Sequence, residues 1–163
     1  LYTTMLLDFS ALSGGGILGD VTWNSDIDTL RYKGDLVQTG TSDARAGDDL
    51  ITGTASDDFL NGSGGDDLLD GLTGDDILNG GIGADTFVFA DGSGQDSIVD
   101  FDISEGDRLD LQAFGFADTE AVLAVAIDVG SDVVIQLDPD DSLTLIGTDI
   151  SELSASQDWM LTL

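Results

Sequence analysis

Six aspartates recur at one fixed place in successive groups of nine residues: Asp49, Asp58, Asp67, Asp76, Asp85 and, after the insertion of Phe89 and Ala90, Asp96. From residue 44 the nines read ARAGDDLIT, GTASDDFLN, GSGGDDLLD, GLTGDDILN and GGIGADTFV, and DGSGQDSIV follows at 91–99. The aspartates fill the sixth column. The eighth column is always large and apolar: Ile51, Leu60, Leu69, Leu78, Phe87 and Ile98. Glycine holds most of the first column (Gly53, Gly62, Gly71, Gly80) and of the fourth, where only Ser56 breaks the series. Carboxylates stacked at this interval repel one another unless a cation lies between them. A hard divalent ion that takes about six to eight oxygen ligands fits, and calcium fits best because its geometry is tolerant. Transition metals would call for His or Cys, and the chain has neither.

The elements that must position these residues follow from the period. Six of each nine residues are turn-like and three are strand-like. In a three-residue strand the middle side chain alone points to one face, and here that middle residue is the apolar eighth column. If each turn reverses the chain, successive strands fall into two opposed parallel sheets around a thin core, and each coil contacts mainly its neighbours. Glycine permits φ > 0 in the turns, so that carbonyls can converge. Turns n and n+2 share an edge, so Asp58 is expected to share an ion with Asp76, Asp67 with Asp85, and Asp49 with Asp67, giving about three to five ions in all. The fifth-column residues Asp48, Asp57, Asp66 and Asp75 are expected to be solvated or outer charges rather than direct ligands. The seventh column (Leu50, Phe59, Leu68, Ile77) should face outward, either covered by the flanking segments or forming a stripe that docks a neighbour.

Composition narrows the field further. The 163 residues carry 33 acids against 4 Lys and Arg, a net charge of −29, and all the acids but Glu105, Glu120 and Glu152 are Asp. Without Cys or His there is no thiol nucleophile, no zinc site of the usual kind, no disulfide and no serine–histidine couple. Nucleic acid is excluded as a partner by the missing basic footprint. No apolar run approaches the roughly 18 residues of a membrane span. Such a charge alone suggests disorder, but the chain is 41% hydrophobic, and the preference for Asp over Glu points to short carboxylates in tight turns. The first residue is not Met, which suggests a fragment of a longer protein.

The nonapeptide G-G-x-G-x-D-x-U-x, matched at every position by residues 80–88, resembles the repeats-in-toxin (RTX) signature. ADTFVF at 84–89, GQDSIVDF at 94–101 and GDRLDL at 106–111 extend the likeness to the C-terminal module of serralysin-type exoproteins. The resemblance implies an all-β, right-handed parallel β-roll with strand-rich caps. Its calcium ligands would be the sixth-column Asp together with turn carbonyls of residues such as Gly53, Gly62, Gly64, Gly71, Thr73, Gly80 and Gly83, with further ligands around Asp100 and Asp107. It also implies export by a type I (ABC-transporter) system as the C-terminal part of a secreted exoprotein, unfolded in transit and folded by extracellular calcium. The expected partners are an upstream domain of the same polypeptide and the export machinery. Two other classes are kept open: an adhesive or polysaccharide-binding module, and a glycosidase using paired carboxylates, for which no pocket-forming constellation is visible.

Three zones are expected: an N-terminal strand-rich cap (1–43), the repeat roll (44–99), and a C-terminal capping and secretion-signal region (100–163). In the last, Asp118 reads as the cap of a short helix near 118–126, and Asp-Pro-Asp-Asp at 138–141 reads as a hairpin turn. Asp158-Trp159-Met160-Leu161 is similar to an uncleaved type I signal, and a buried terminal strand explains it equally well. Ala44 and Arg45 replace glycines in the first repeat, and Ser56 is expected to strain its turn.

Overall fold

The turn-rich nonapeptides fold into short strands separated by reversals. The structure, a computed structural model, describes residues 47–161 together with Leu30–Arg31. The strands are β1 (Leu30–Arg31), β2 (Leu50–Thr52), β3 (Phe59–Asn61), β4 (Leu68–Asp70), β5 (Ile77–Asn79), β6 (Thr86–Val88), β7 (Gln95–Ile98) and β8 (Arg108–Asp110). A 3-10 turn (Gln112–Phe114), helix α1 (Thr119–Leu123), strands β9 (Ala126–Val129), β10 (Asp132–Gln136) and β11 (Ser142–Leu145), and helix α2 (Ile150–Ala155) complete the described chain. The expected strands at Thr4–Phe9 and Ile17–Trp23, and most of Leu30–Val37, lie outside the described residues.

Alternate strands form opposed sheets, as the period requires. One sheet runs β1-β2-β4-β6-β8 and the other β3-β5-β7-β11-β10-β9. The first is parallel throughout, and the second is parallel from β3 to β11 and antiparallel beyond. This is an all-β parallel β-roll. Its sheets run on past residue 99, since β8 joins the first and the β10–β11 hairpin joins the second.

Register places the eighth column in continuous rows. Ile51, Leu69, Phe87 and Leu109 align in one sheet, and Leu60, Leu78, Ile98 and Leu145 in the other. All are buried and together form the thin core, with Phe101 tilted against Phe87 at a centroid distance of 6.2 Å. Each such side chain contributes roughly 1.5–3 kcal/mol of burial. Leu78 lies in the middle of its row, with little freedom for neighbours to collapse inward. Leu78→Ala should therefore cost about 2–5 kcal/mol in a denaturant titration of the calcium-loaded chain, and a loss under 1 kcal/mol would contradict this packing.

The C-terminal segment closes the roll. Asp118 caps α1 by accepting from the Ala121 N–H. Helix α2, which the sequence reading did not place, starts with a full capping box between Asp149 and Glu152. The hairpin expected around 138–141 forms as β10–β11. The tail is buried: Leu109 N–H donates to Trp159 O (2.7 Å), Leu161 N–H to Leu109 O (2.9 Å), and Trp159 Nε1 to Leu153 O (2.8 Å). Among the described residues no helix is long and apolar enough to cross a membrane. In the seventh column, Phe59 and Ile77 are 44% exposed and Leu68 37%, and among the described residues nothing covers them.

Candidate metal centre

The turn geometry begins with the ninth column. Asn61 Oδ1 accepts from the Ser63 N–H and Asp70 Oδ1 from the Leu72 N–H, both at 3.0 Å. These Asx turns hold the second-column residues left-handed, with φ of 72° at Ser63 and 71° at Leu72, a region that L-residues enter only when local bonding favours it. The fourth-column glycines Gly65, Gly74, Gly83 and Gly94 also have positive φ. Ser56 does not, so the strain expected there is absent: its turn takes a different path.

Two stacks of turns result, one on each edge of the roll. Along one, Asp49 N–H donates to Asp67 Oδ1 (2.7 Å), Asp67 N–H to Asp85 Oδ1 (2.8 Å) and Asp85 N–H to Asp107 Oδ1 (3.0 Å). Along the other, Asp58 N–H donates to Asp76 Oδ1 (2.7 Å) and Asp76 N–H to Asp96 Oδ1 (2.9 Å). Asp67, Asp76, Asp85 and Asp96 thus each spend one oxygen on the backbone of the preceding turn of their stack. The other oxygen is the notable one. Oδ2 of Asp67, Asp76 and Asp85 is buried with no hydrogen-bond partner, although buried polar groups are almost always paired.

These oxygens face a cradle. A Cβ at Gly62 would collide with Asp67 Oδ2 and would stand 2.5 Å from the Gly80 carbonyl oxygen. A Cβ at Gly71 or Gly80 would collide with Oδ2 of Asp76 or Asp85. Glycine is therefore required in the first column by the space beside the carboxylate. Burial pushes Asp67 and Asp76 from the usual 3.8 up to about 7, reinforced by neighbouring carboxylates and opposed by the backbone N–H bond. Burial also raises Asp85, and takes Asp96 and Asp107 to about 6. Orphaned carboxylate oxygens, a converging carbonyl and an all-oxygen donor set fit a hard cation and leave its charge the missing partner.

A family model described as the RTX calcium-binding nonapeptide repeat (four copies) matches residues 43–76 and 62–98. The solution structure of the AlgE6R3 subunit of the Azotobacter vinelandii mannuronan C5-epimerase is 31% identical, with a TM-score of 0.55 over 91% of this chain and 86% of that one. The chain belongs to the RTX family. The extracellular lipase LipA of Serratia marcescens is similar over 70% of this chain at 25% identity and a TM-score of 0.51. The match spans only 21% of that lipase's length. No curated protein sequence matches. RTX repeats bind calcium, and this chain is an RTX calcium-binding repeat module.

Against that RTX pattern the expected residues divide. Asp67 with Gly62 and Asp85 with Gly80 on one edge, and Asp76 with Gly71 on the other, surround the orphaned oxygens. The Gly71 carbonyl points beside Gly53 and Asp58 Oδ2. The Gly64 carbonyl accepts from Gly47 N–H (2.6 Å). Thr73 is exposed, and its N–H reaches Thr54 O at 3.5 Å. Gly83 abuts the Gly65 carbonyl. Asp100 takes the N–H groups of Gly80 (3.1 Å) and Gly81 (2.7 Å). Asp107 takes those of Asp85 and Asp102, so both its oxygens are engaged.

Several residues escaped the sequence reading. The fifth-column carboxylates form a second ladder: Asp48, Asp57, Asp66 and Asp75 accept at 2.9–3.0 Å from the N–H of Asp66, Asp75, Ala84 and Gln95 in the following turn of the same stack. Asp141 caps the other stack, accepting from Gly92 (2.7 Å) and Gly94 (2.8 Å), much as Asp100 does opposite. Carboxylate oxygens of Asp91, Asp138 and Asp141 lie within 4.8 Å of one another at this end. The coil past β7 carries Leu143 in register with Asp96, so an apolar side chain ends that carboxylate column.

Proposed function

We propose that this module is a calcium-driven folding switch and stabiliser within a larger secreted bacterial protein, exported by a type I system and itself non-catalytic. The observation that carries the reading is the set of buried, partnerless Oδ2 atoms of Asp67, Asp76 and Asp85. In calcium-poor cytoplasm these carboxylates stay unneutralised and the chain remains unfolded enough for export. Outside, calcium at about 10⁻⁴–10⁻³ M, the affinity range of extracellular modules, couples binding to folding. About three to five ions per chain are expected, with Asp67, Asp76 and Asp85 at their centres. The upstream part of the same polypeptide and the export apparatus are the partners this proposal calls for.

Excess chelator should abolish the strand signal of the repeat zone in circular dichroism, and added calcium should restore it. A spectrum unchanged in chelator at pH 8 would sink the switch. The likeness to a repeat subunit of a mannuronan epimerase favours one second reading, a module that holds an acidic polysaccharide through bridging calcium. With a net charge of −29 direct attraction is excluded, so retention on mannuronan that requires calcium and vanishes in chelator is the outcome that reading demands.

A further inference from the structure

One turn of the roll is built differently from its neighbours. In the nonapeptide 53–61, Asp58 Oδ2 accepts from the Thr54 N–H (2.5 Å) and from the Thr54 hydroxyl (2.9 Å). The equivalent oxygens of Asp67, Asp76 and Asp85 have no partner. The cause lies in three residues. Thr52 stands in the ninth column, where Asn61 and Asp70 make the Asx turns that hold Ser63 and Leu72 left-handed. Threonine has no carbonyl oxygen with which to make that turn. Thr54 accordingly lacks the positive φ of Ser63, Leu72 and Gly81, and Ser56 lacks that of the fourth-column glycines. The altered backbone turns Thr54 inward, where its hydroxyl also accepts from the Ser56 N–H (3.3 Å). The rest of the cradle is retained, with the Gly71 carbonyl 2.5 Å and Asp58 Oδ2 2.9 Å from a Cβ built at Gly53.

We infer that Thr54 takes the place of a calcium ion in this turn, closing one repeat of the stack to metal while keeping it folded. The inference rests on the calcium-binding reading of the other turns. A carboxylate oxygen whose two lone-pair sites both hold hydrogen bonds must give up at least one of them to bind a cation, whereas an orphaned one gives up nothing. The gap between the turns of Asp58 and Asp76 is therefore metal-free, and the ion expected to be shared by that pair is absent.

Native mass spectrometry and calorimetric titration of the full chain with calcium test this. Thr52→Asn combined with Thr54→Gly supplies the Asx residue and frees Asp58 Oδ2. The double variant should bind one more calcium ion per chain than wild type, and Thr54→Ser, which keeps the hydroxyl, should bind the wild-type number. An unchanged count in the double variant, or a gain in Thr54→Ser, overturns the inference. If the double variant fails to fold in calcium, Thr54→Gly alone is held to the same outcomes. A wild-type chain that takes up no calcium would instead defeat the underlying reading, so the two failures are distinguishable.

Discussion

Stripped of divalent cations, the chain will be most ordered near pH 4 and will lose its roll as the pH rises toward 8. This inverts the usual behaviour of an acidic protein, and the sign follows from burial. Asp67 and Asp76 titrate near 7 when folded, and Asp96 and Asp107 near 6, against 3.8 when exposed. Between those values the folded chain holds protons that the unfolded chain has released, so lowering the pH favours folding. The contribution is complete below about 3.8 and is lost as the pH passes through 6 and then 7. Each such group changes stability by about 1.4 kcal/mol per pH unit within its window. Asp102, Asp138 and Asp149, held low mainly by hydrogen bonds from neighbouring Ser hydroxyls or backbone N–H groups, act oppositely and turn the curve down below pH 3.8. In saturating calcium the trend reverses, because the ion needs the carboxylates deprotonated. Urea midpoints measured from pH 4 to 8 in chelator and in calcium should give curves of opposite slope that converge in acid. Parallel curves would show that the buried carboxylates are not what calcium neutralises.

The roll itself was legible because two independent periodicities agree. The eighth column could only be a core, and its alternation between edges could only give two sheets, which the rows through Leu69 and Leu78 display. The exact start and end of the stack were less legible. Leu109 and Leu145 occupy core rows without belonging to the uninterrupted nines, since a loop of different length delivers each to the same register. Helix α2 was readable in principle: Asp149 and Glu152 have capping-box spacing, but the helix is too short for its apolar period to stand out.

The site was half legible. Sequence identifies the aspartate column that carries the orphaned oxygens, because a fixed carboxylate spacing sets it apart. It does not reveal which oxygen of each carboxylate is already used. The fifth-column residues read as solvated or outer charges, and Asp66 and Asp75 are indeed exposed; what sequence does not reveal is that they are also bonded across turns, to residues 18 to 20 positions away. Nothing in the column pattern singles out Thr54. Its role depends on Thr52 two positions earlier failing to form a turn, a conditional effect that column-wise comparison treats as two unrelated substitutions.

Asp76 provides the sharpest separation between structural and ionic roles, because its two oxygens have different partners. Oδ1 accepts from the Asp58 N–H at 2.7 Å, and Oδ2 has none. Asp76→Asn keeps an oxygen for Asp58 and replaces the orphaned anion by a neutral amide. In chelator at pH 8 it should be more stable than wild type by about 1–3 kcal/mol, because a neutral amide costs less to bury than an unpaired anion. In calcium at roughly 1,000 times the dissociation constant it forgoes the linkage free energy of one ion, about 4.1 kcal/mol, and after the gain in chelator is subtracted it should be less stable than wild type by about 1–3 kcal/mol. Asp76→Ala removes both oxygens and leaves the Asp58 N–H buried without an acceptor, so it should be less stable than the Asn variant in both conditions by about 1–3 kcal/mol. The change of sign between buffers for Asn is the decisive outcome. Destabilisation by Asn in chelator as well would mean that Oδ2 holds the metal-free turn together, and the orphaned oxygen would then have no claim to be the place a cation fills.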